Sequence, residues 1–176
     1  VSAKNRVTVK GVDIQELGRR LGDLRKYRVV VGVQGTEATE TYDEKGEKNA
    51  RPLTLVEVAA VHEFGTEDGR IPERSFLRGT LDRKSKPYGK LLAAAVSGAL
   101  EAVGEDGLGD VAGAFERGLN LLGLRVVADV QTTIRDSGPG WPPNAPMTIA
   151  RKGSSKPLID TGRLRQSIRH AVRVMS

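Results

Sequence analysis

From residue 111 to residue 135 an apolar side chain recurs every three or four positions: Val111, Phe115, Leu119, Leu122, Val126, Val130 and Ile134. That spacing places all seven on one stripe of a helix, so a single long amphipathic helix is predicted as the spine of the fold. It must stop at the following DSGPGWPPNAP, where Gly and Pro forbid continuation. Everything else in the chain has to pack against this stripe or lie outside it. With 176 residues there is enough chain for one domain with a real core, and the expected domain is 1–176.

Upstream, VDIQELGRRLGDLRK (12–26) puts Val12, Leu17, Leu21 and Leu24 at helical spacing. YRVVVGVQG (27–35) is a β-branched run ending in Gly and is expected to be a buried strand. Residues 36–52, TEATETYDEKGEKNARP, are polar and charged, and are read as a mobile hairpin or arm. LTLVEVAAVHEF (53–64) is helical again, with Leu53, Val56, Ala60 and Phe64 on a common face and Gly65 as the stop. Pro72 and Glu73 suit the start of a helix over 73–82, resuming through 90–103 after an interruption around Pro87. GEDGLGD (104–110) is a linker, and 136–157 reads as a long loop. Asp160 or Thr161 can cap a short helix over 162–169 with Leu164 and Ile168 inward. HAVRV (170–174) alternates and is expected to be a final strand. The fold class is therefore α+β, a small, mostly antiparallel sheet packed on a long helix with flanking helices.

Charge is unevenly placed. The net charge is +6, and residues 151–176 hold seven bases and one acid, which leaves 21 bases and 21 acids in the rest. Arg163, Arg165, Arg169 and Arg173 give this end a basic edge, with Arg165 and Arg169 expected as helical i,i+4 neighbours. Such an edge fits an acidic protein partner or nucleic acid phosphates. No cysteine is present, which excludes disulfides and thiolate metal sites, and no apolar run approaches a membrane span. The first residues lack a signal-peptide apolar stretch. A reducing cytoplasm is the expected setting, with no membrane partner.

The chemistry-bearing stretch is VHEFGTEDGRIPERSFLRG, residues 61–79. His62-Glu63 opens like half of a zinc-protease helix, but that helix needs a second His four positions on, where Thr66 stands. The acids Glu63, Glu67, Asp68 and Glu73 are near neighbours in loop-like sequence, which favours solvated carboxylates over a catalytic pair. No nucleophile elbow and no Walker spacing occurs; RKGSSKP (151–157) reads as an exposed loop. Arg74 is placed to clamp Glu63 or a backbone carbonyl, and Phe76 to enter the core. No catalytic, metal or cofactor site is expected.

Two segments carry a family resemblance. VGVQG, VEVAAVHEFGT and IPERSFLRG, then GWPPNAPMTIARKG and PLIDTGRLRQSI, resemble in order the neck and tail-completion (virion morphogenesis) proteins of long-tailed bacteriophages, Mu-like type. The matches span about two-thirds of the chain. His62, Glu63, Phe64, Gly65, Pro72, Arg74 and Phe76 fall on the first motif, and Leu158, Asp160, Thr161, Gly162 and Leu164 on the second. Where the family's first motif often has Arg-Pro-Phe, this chain has Arg74-Ser75-Phe76. The resemblance implies a non-enzymatic, tail-terminator-like virion protein at the head–tail interface, assembled in the bacterial cytoplasm. It implies a homo-oligomeric ring, a hexamer, between head-closure and tail-tube proteins. The alternative is a head–tail connector, an adaptor or head-closure module, whose basic C-terminal segment touches DNA in the lumen.

Overall fold

The computed structural model describes residues 8–9, 12–34, 36–39, 41–42, 53–103 and 109–175. Among these, seven helices and short antiparallel strands make a mixed α+β fold that is mostly helical. The chain divides into two compact units. One comprises Val1–Val30, Lys86–Gly123 and Ala171–Ser176, the other Val31–Ser85 and Leu124–His170.

In the first unit, β1 (Thr8–Val9) pairs antiparallel with β2 (Val12–Asp13). Asp13 then caps α1 (Ile14–Asp23), its carboxylate accepting from the amides of Gln15 at 3.0 Å and Glu16 at 3.3 Å. Val12 therefore precedes the helix, which runs through Leu17 and Leu21 and tightens into a 3-10 turn at Leu24–Lys26. The core of this unit gathers Leu24 with Ala95 and Ala99 of α4 (Ser85–Glu101) and Val111, Phe115 and Leu119 of α5 (Val111–Asp136). Tyr27 and Val29 of β3 (Tyr27–Val33) and Val172 of β6 (Ile168–Val174) pack against that cluster, with Tyr27 edge-on to Phe115 at 5.8 Å. Here the strands do lie on the long helix. Gly118 lets α4 and α5 approach, since a Cβ there would sit 2.4 Å from the Ala95 Cβ.

The expected C-terminal strand forms, over Ile168–Val174, and pairs with β3. In contrast, β3 is not buried on both faces: Arg28 and Val30 are exposed, because a two-stranded ladder covers only one side. The predicted stripe of α5 is buried almost throughout, from Val111 (1 % exposed) to Val130 and Ile134 (0 %). Its first half belongs to one unit and its second half to the other.

In the second unit, β4 (Thr41–Tyr42) pairs antiparallel with β5 (Leu53–Thr54), the base of a hairpin. Residues 43–52 of the expected arm lie outside the described residues, as do 104–108 of the linker. Thr54 and Glu57 form a capping box that starts α2 (Leu55–Phe64). The face of α2 turned inward is Leu55, Ala59 and Glu63, not the expected one. Val56 and Phe64 are 44 % and 65 % exposed, because the carboxylate of Glu63 has partners inside that only the other face reaches.

The predicted helix start at Pro72 is also corrected: α3 (Arg78–Arg83) begins six residues later. A one-residue break at Lys84 separates it from α4, which holds Pro87 within its first turn. The expected loop 136–157 contains α6 (Pro146–Lys152), opened by Pro at its first position and closed by Gly153 at φ 67°. The expected helix 162–169 shrinks to α7 (Arg163–Ser167), whose N-cap is Gly162 at φ 78° rather than Asp160 or Thr161. Arg169 consequently lies in β6, so the i,i+4 pairing with Arg165 does not exist. No helix among the described residues is long and apolar enough to cross a membrane.

Candidate functional site

The second unit brings the two sequence motifs together. α2 ends at Gly65, whose φ of 74° and extended ψ of −177° turn the chain sharply. A Cβ there would lie 2.9 Å from the amide nitrogen of Glu73, so the returning loop needs glycine. Thr66 organises that loop. Its amide donates to Ile71 O at 2.9 Å, and its hydroxyl donates to Asp68 at 2.7 Å and accepts from the Ile71 amide at 3.0 Å. The residue standing in place of a second zinc ligand is thus a loop former. The Arg74 amide closes the turn by donating to His62 O at 2.8 Å.

Glu63 is 6 % exposed and is the hub of the first motif. Its carboxylate accepts from Ser75 Oγ at 2.7 Å and from the amides of Leu77 and Arg78, both at 2.9 Å. Those two amides are the unsatisfied donors at the start of α3, so Glu63 caps a helix that begins fifteen residues later. Ser75 adds a second cap, accepting from the Gly79 amide at 2.9 Å. This is what Ser75 does at the position where the resembled family often has Pro, and it explains why α3 starts at Arg78. Phe76 enters the core at 2 % exposed, and Phe64 stays outside beneath the Arg78 guanidinium at 5.8 Å.

Arg74 is 5 % exposed and takes the second of its two expected roles. It does not pair with Glu63. Its Nε donates to Pro142 O at 3.0 Å and its Nη2 to Pro143 O at 2.9 Å. Two consecutive prolines lack amide donors, and their carbonyls are held by one guanidinium fork. Among the described residues no carboxylate lies within ion-pair distance of Arg74, and burial pushes its pKa down.

Beside Arg74 opens a pocket of about 510 Å3. His62, Pro72 and Arg74 of the first motif line it together with Leu158, Asp160, Gly162 and Leu164 of the second. Of the C-terminal arginines only Arg163 reaches it. Thr161 accepts from the Arg163 amide at 3.5 Å, while Arg169 and Arg173 are exposed along β6. Asn144, Arg151 and Lys152 complete the polar wall, and Val58, Ile71 and Pro143 extend the apolar one. Asn144 donates to Ser155 O at 3.2 Å, and Lys152 to Lys156 O at 3.1 Å. The 151–157 stretch is therefore no simple exposed loop: it begins as the end of α6 and sends Lys152 inward.

Two features of the second motif follow from this packing. Leu158 is buried with φ at 57°, a conformation that non-glycine residues rarely adopt, and Gly162 follows at φ 78°. The pair of left-handed residues turns the chain around Asp160 and delivers Leu164, 5 % exposed, to the core.

Among the described residues, five bases and one acid line it. Lys152 is held below its usual pKa by burial, aided by Arg74 and Arg151, while Asp160 acts in the opposite sense. His62 is pushed down to about 4, first by burial and then by Arg74 and Lys152. Its imidazole is neutral at neutral pH, and among the described residues its buried Nδ1 has no hydrogen-bond partner. Among the described residues no group of three or more His, Asp or Glu side chains is placed to hold a metal.

Sequence reasoning did not find the Lys84–Asp129–Arg125 cluster. Asp129, 7 % exposed, accepts from Lys84 at 2.7 Å and Arg125 at 3.0 Å. An acid at the edge of an apolar stripe was its only signal. Comparisons of the chain with protein-family models, curated proteins and solved structures find no match.

Proposed function

We propose that this chain is a structural subunit of the neck of a long-tailed bacteriophage particle, a ring-forming tail-completion or tail-terminator protein that joins head to tail. The observation that carries this reading is the bond between the two resembling segments: Arg74 of the first holds the Pro142 and Pro143 carbonyls of the second. Motifs far apart in the chain are thereby held against each other. Exposed apolar side chains lend further support. Leu92, Val96 and Leu100 repeat every four residues along α4 and are 43 %, 39 % and 46 % exposed, and Phe64 is 65 % exposed. A surface of this kind suits a subunit with neighbours. Ring closure joins one patch to a different patch on the next copy.

Mass photometry of the purified chain tests the reading. A discrete ring is expected, disrupted by charges placed on the exposed face of α4, as in Val96→Glu with Leu100→Glu, while circular dichroism stays unchanged. A monomer at every concentration overturns it. The connector alternative draws on the exposed Arg169 and Arg173 of β6. Under it, DNA binding falls steeply with salt and is lost on neutralising Arg165 and Arg169.

A further inference from the structure

The pocket of the second unit holds polar atoms that the fold itself leaves unused. Arg70 is paired with Asp68 at 3.1 Å, and Arg151 and Arg163 have interactions of their own within the chain, so none of these three counts as an open charge. Arg74 is different. Its Nε and Nη2 hold the carbonyls of Pro142 and Pro143, which are neutral. Among the described residues its Nη1 has no partner, yet it is not sealed from solvent as His62 Nδ1 is. The side chain is 5 % exposed and lines the pocket, so that accessible nitrogen opens into it. One edge of the guanidinium is thus fixed on neutral acceptors, and the other keeps donors and charge for a carboxylate.

Asn144 follows directly on the carbonyl that Arg74 Nη2 holds, and it too lines the pocket. It is 8 % exposed, and its Nδ2 donates to Ser155 O at 3.2 Å. Among the described residues its Oδ1 accepts no hydrogen bond, and it is likewise not sealed from solvent. An unused acceptor therefore stands beside an unused cation. Lys152 Nζ has one bond, to Lys156 O, and Asp160 offsets one of the charges of Arg74 and Lys152, so one positive charge is left over among the described residues. Val58, Ile71, Pro72 and Pro143 supply an apolar wall to a cleft of about 510 Å3, a size that suits a small organic ligand. We infer that this pocket binds a monocarboxylate with a hydrogen-bond donor on the neighbouring carbon and an apolar stem, as an N-acylated amino acid or the free C-terminus of a polypeptide presents. The carboxylate sits on Arg74 with Lys152 nearby, the N–H donates to Asn144 Oδ1, and the stem lies on the aliphatic and proline wall. The inference goes beyond the ring reading and does not depend on it.

The test is calorimetric titration of the full chain with three probes that share one stem. N-acetyl-leucine carries both the carboxylate and the N–H, N-acetyl-leucinamide lacks the charge, and 4-methylpentanoate lacks the N–H. N-acetyl-leucine is expected to bind, the amide at least about tenfold more weakly, and 4-methylpentanoate about three- to tenfold more weakly. Lys152→Gln should weaken N-acetyl-leucine several-fold and leave the amide unchanged, and Arg74→Lys should do the same more strongly. Where Arg74→Lys fails to fold, Lys152→Gln carries the test, because its side chain spends only one hydrogen bond on the fold. Amide NMR shifts on adding N-acetyl-leucine should gather around Arg74, Asn144 and Lys152. The peptide acetyl-Gly-Gly-Ser-Leu separates the two sources: tighter binding than N-acetyl-leucine assigns the site to a polypeptide C-terminus, and equal or weaker binding assigns it to a small acid. No binding of N-acetyl-leucine at about 10 mM overturns the inference. So does equal binding of acid and amide, or a set of shifts that lies away from the pocket.

Discussion

The Nε of Arg74 donates to the carbonyl oxygen of Pro142 across 3.0 Å, and its Nη2 to the next carbonyl at 2.9 Å. One side chain thus fixes a proline-rich loop that has no amides of its own to offer at those positions. The same residue, through its backbone amide, closes the turn after α2 on His62 O. Arg74 ties three stretches of chain: the end of α2, the extended run before α3, and the Trp-Pro loop.

Replacing Arg74 by Met keeps the stem and removes the fork. Two part-buried carbonyls on exposed prolines then lose their donor, at a cost of about 0.5–1.5 kcal/mol each. Arg74→Lys restores a charge but not two parallel donors, so it should recover only part of the loss. Urea unfolding at neutral pH measures both. Equal stability of wild type and Arg74→Met would remove the clamp from the account.

Glu63→Gln tests the long-range cap. The amide retains one acceptor oxygen where the carboxylate serves Ser75 Oγ, the Leu77 amide and the Arg78 amide with two. Its NH2 group also faces donors. A destabilisation of about 1–3 kcal/mol is expected, with fraying concentrated at α3. Hydrogen exchange at Leu77, Arg78 and Gly79 should accelerate more than at Val130.

His62 predicts an acid-sensitive component of stability. Its folded pKa is about 4, against an ordinary value of 6.5. Above 6.5 the imidazole is neutral in both states and its contribution is fully present. Between 6.5 and about 4 the unfolded chain takes up a proton and the folded chain does not, so stability falls as pH falls. From pH 7.5 to pH 5 wild type should lose about 2 kcal/mol more than His62→Leu. Chemical denaturation at the two pH values, compared between the two proteins, isolates this group from every other titration they share. Parallel pH profiles would contradict the buried neutral imidazole.

Gly118→Ala probes the close approach of α4 and α5. The added methyl would meet the Ala95 Cβ at 2.4 Å, well inside contact distance, and the Ala95 Cα at 2.7 Å. Helix propensity alone would favour Ala by about 1 kcal/mol, yet overpacking at a helix crossing costs about 1–3 kcal/mol. A lowered melting temperature is expected, and a raised one would show that the helices separate easily.

Much of the backbone was legible in advance. The α5 stripe names its own buried residues because a 3.6-residue period leaves one face for the core, and Val111, Phe115, Leu119, Val126, Val130 and Ile134 all lie inward. The final strand, the break near Pro87 and the stop at Gly65 follow from equally local signals. α6 was missed although Pro146 and Gly153 bracket it as start and stop, because the surrounding Pro and Gly made the whole stretch look like loop.

The misread elements share another cause. Hydrophobicity favoured Val56, Ala60 and Phe64 as the inner face of α2, but Glu63 points inward because the amides of Leu77 and Arg78 wait there. Pro72 looked like a helix start, yet the first amides with a cap are at Leu77 and Arg78. Arg165 and Arg169 looked like helical neighbours until the chain crossed into β6 between them.

By itself, then, the sequence determined the α+β class, the long helix with its buried stripe, the places where Gly and Pro stop the chain, and the basic C-terminal end. Each depends on interactions within a few residues. Tertiary structure alone decided that Glu63 caps a distant helix, that Arg74 holds the proline carbonyls, and that both motifs share one cationic pocket. Those outcomes depend on donors and acceptors brought together across the chain, where an unsatisfied buried group costs more than a local preference can offset.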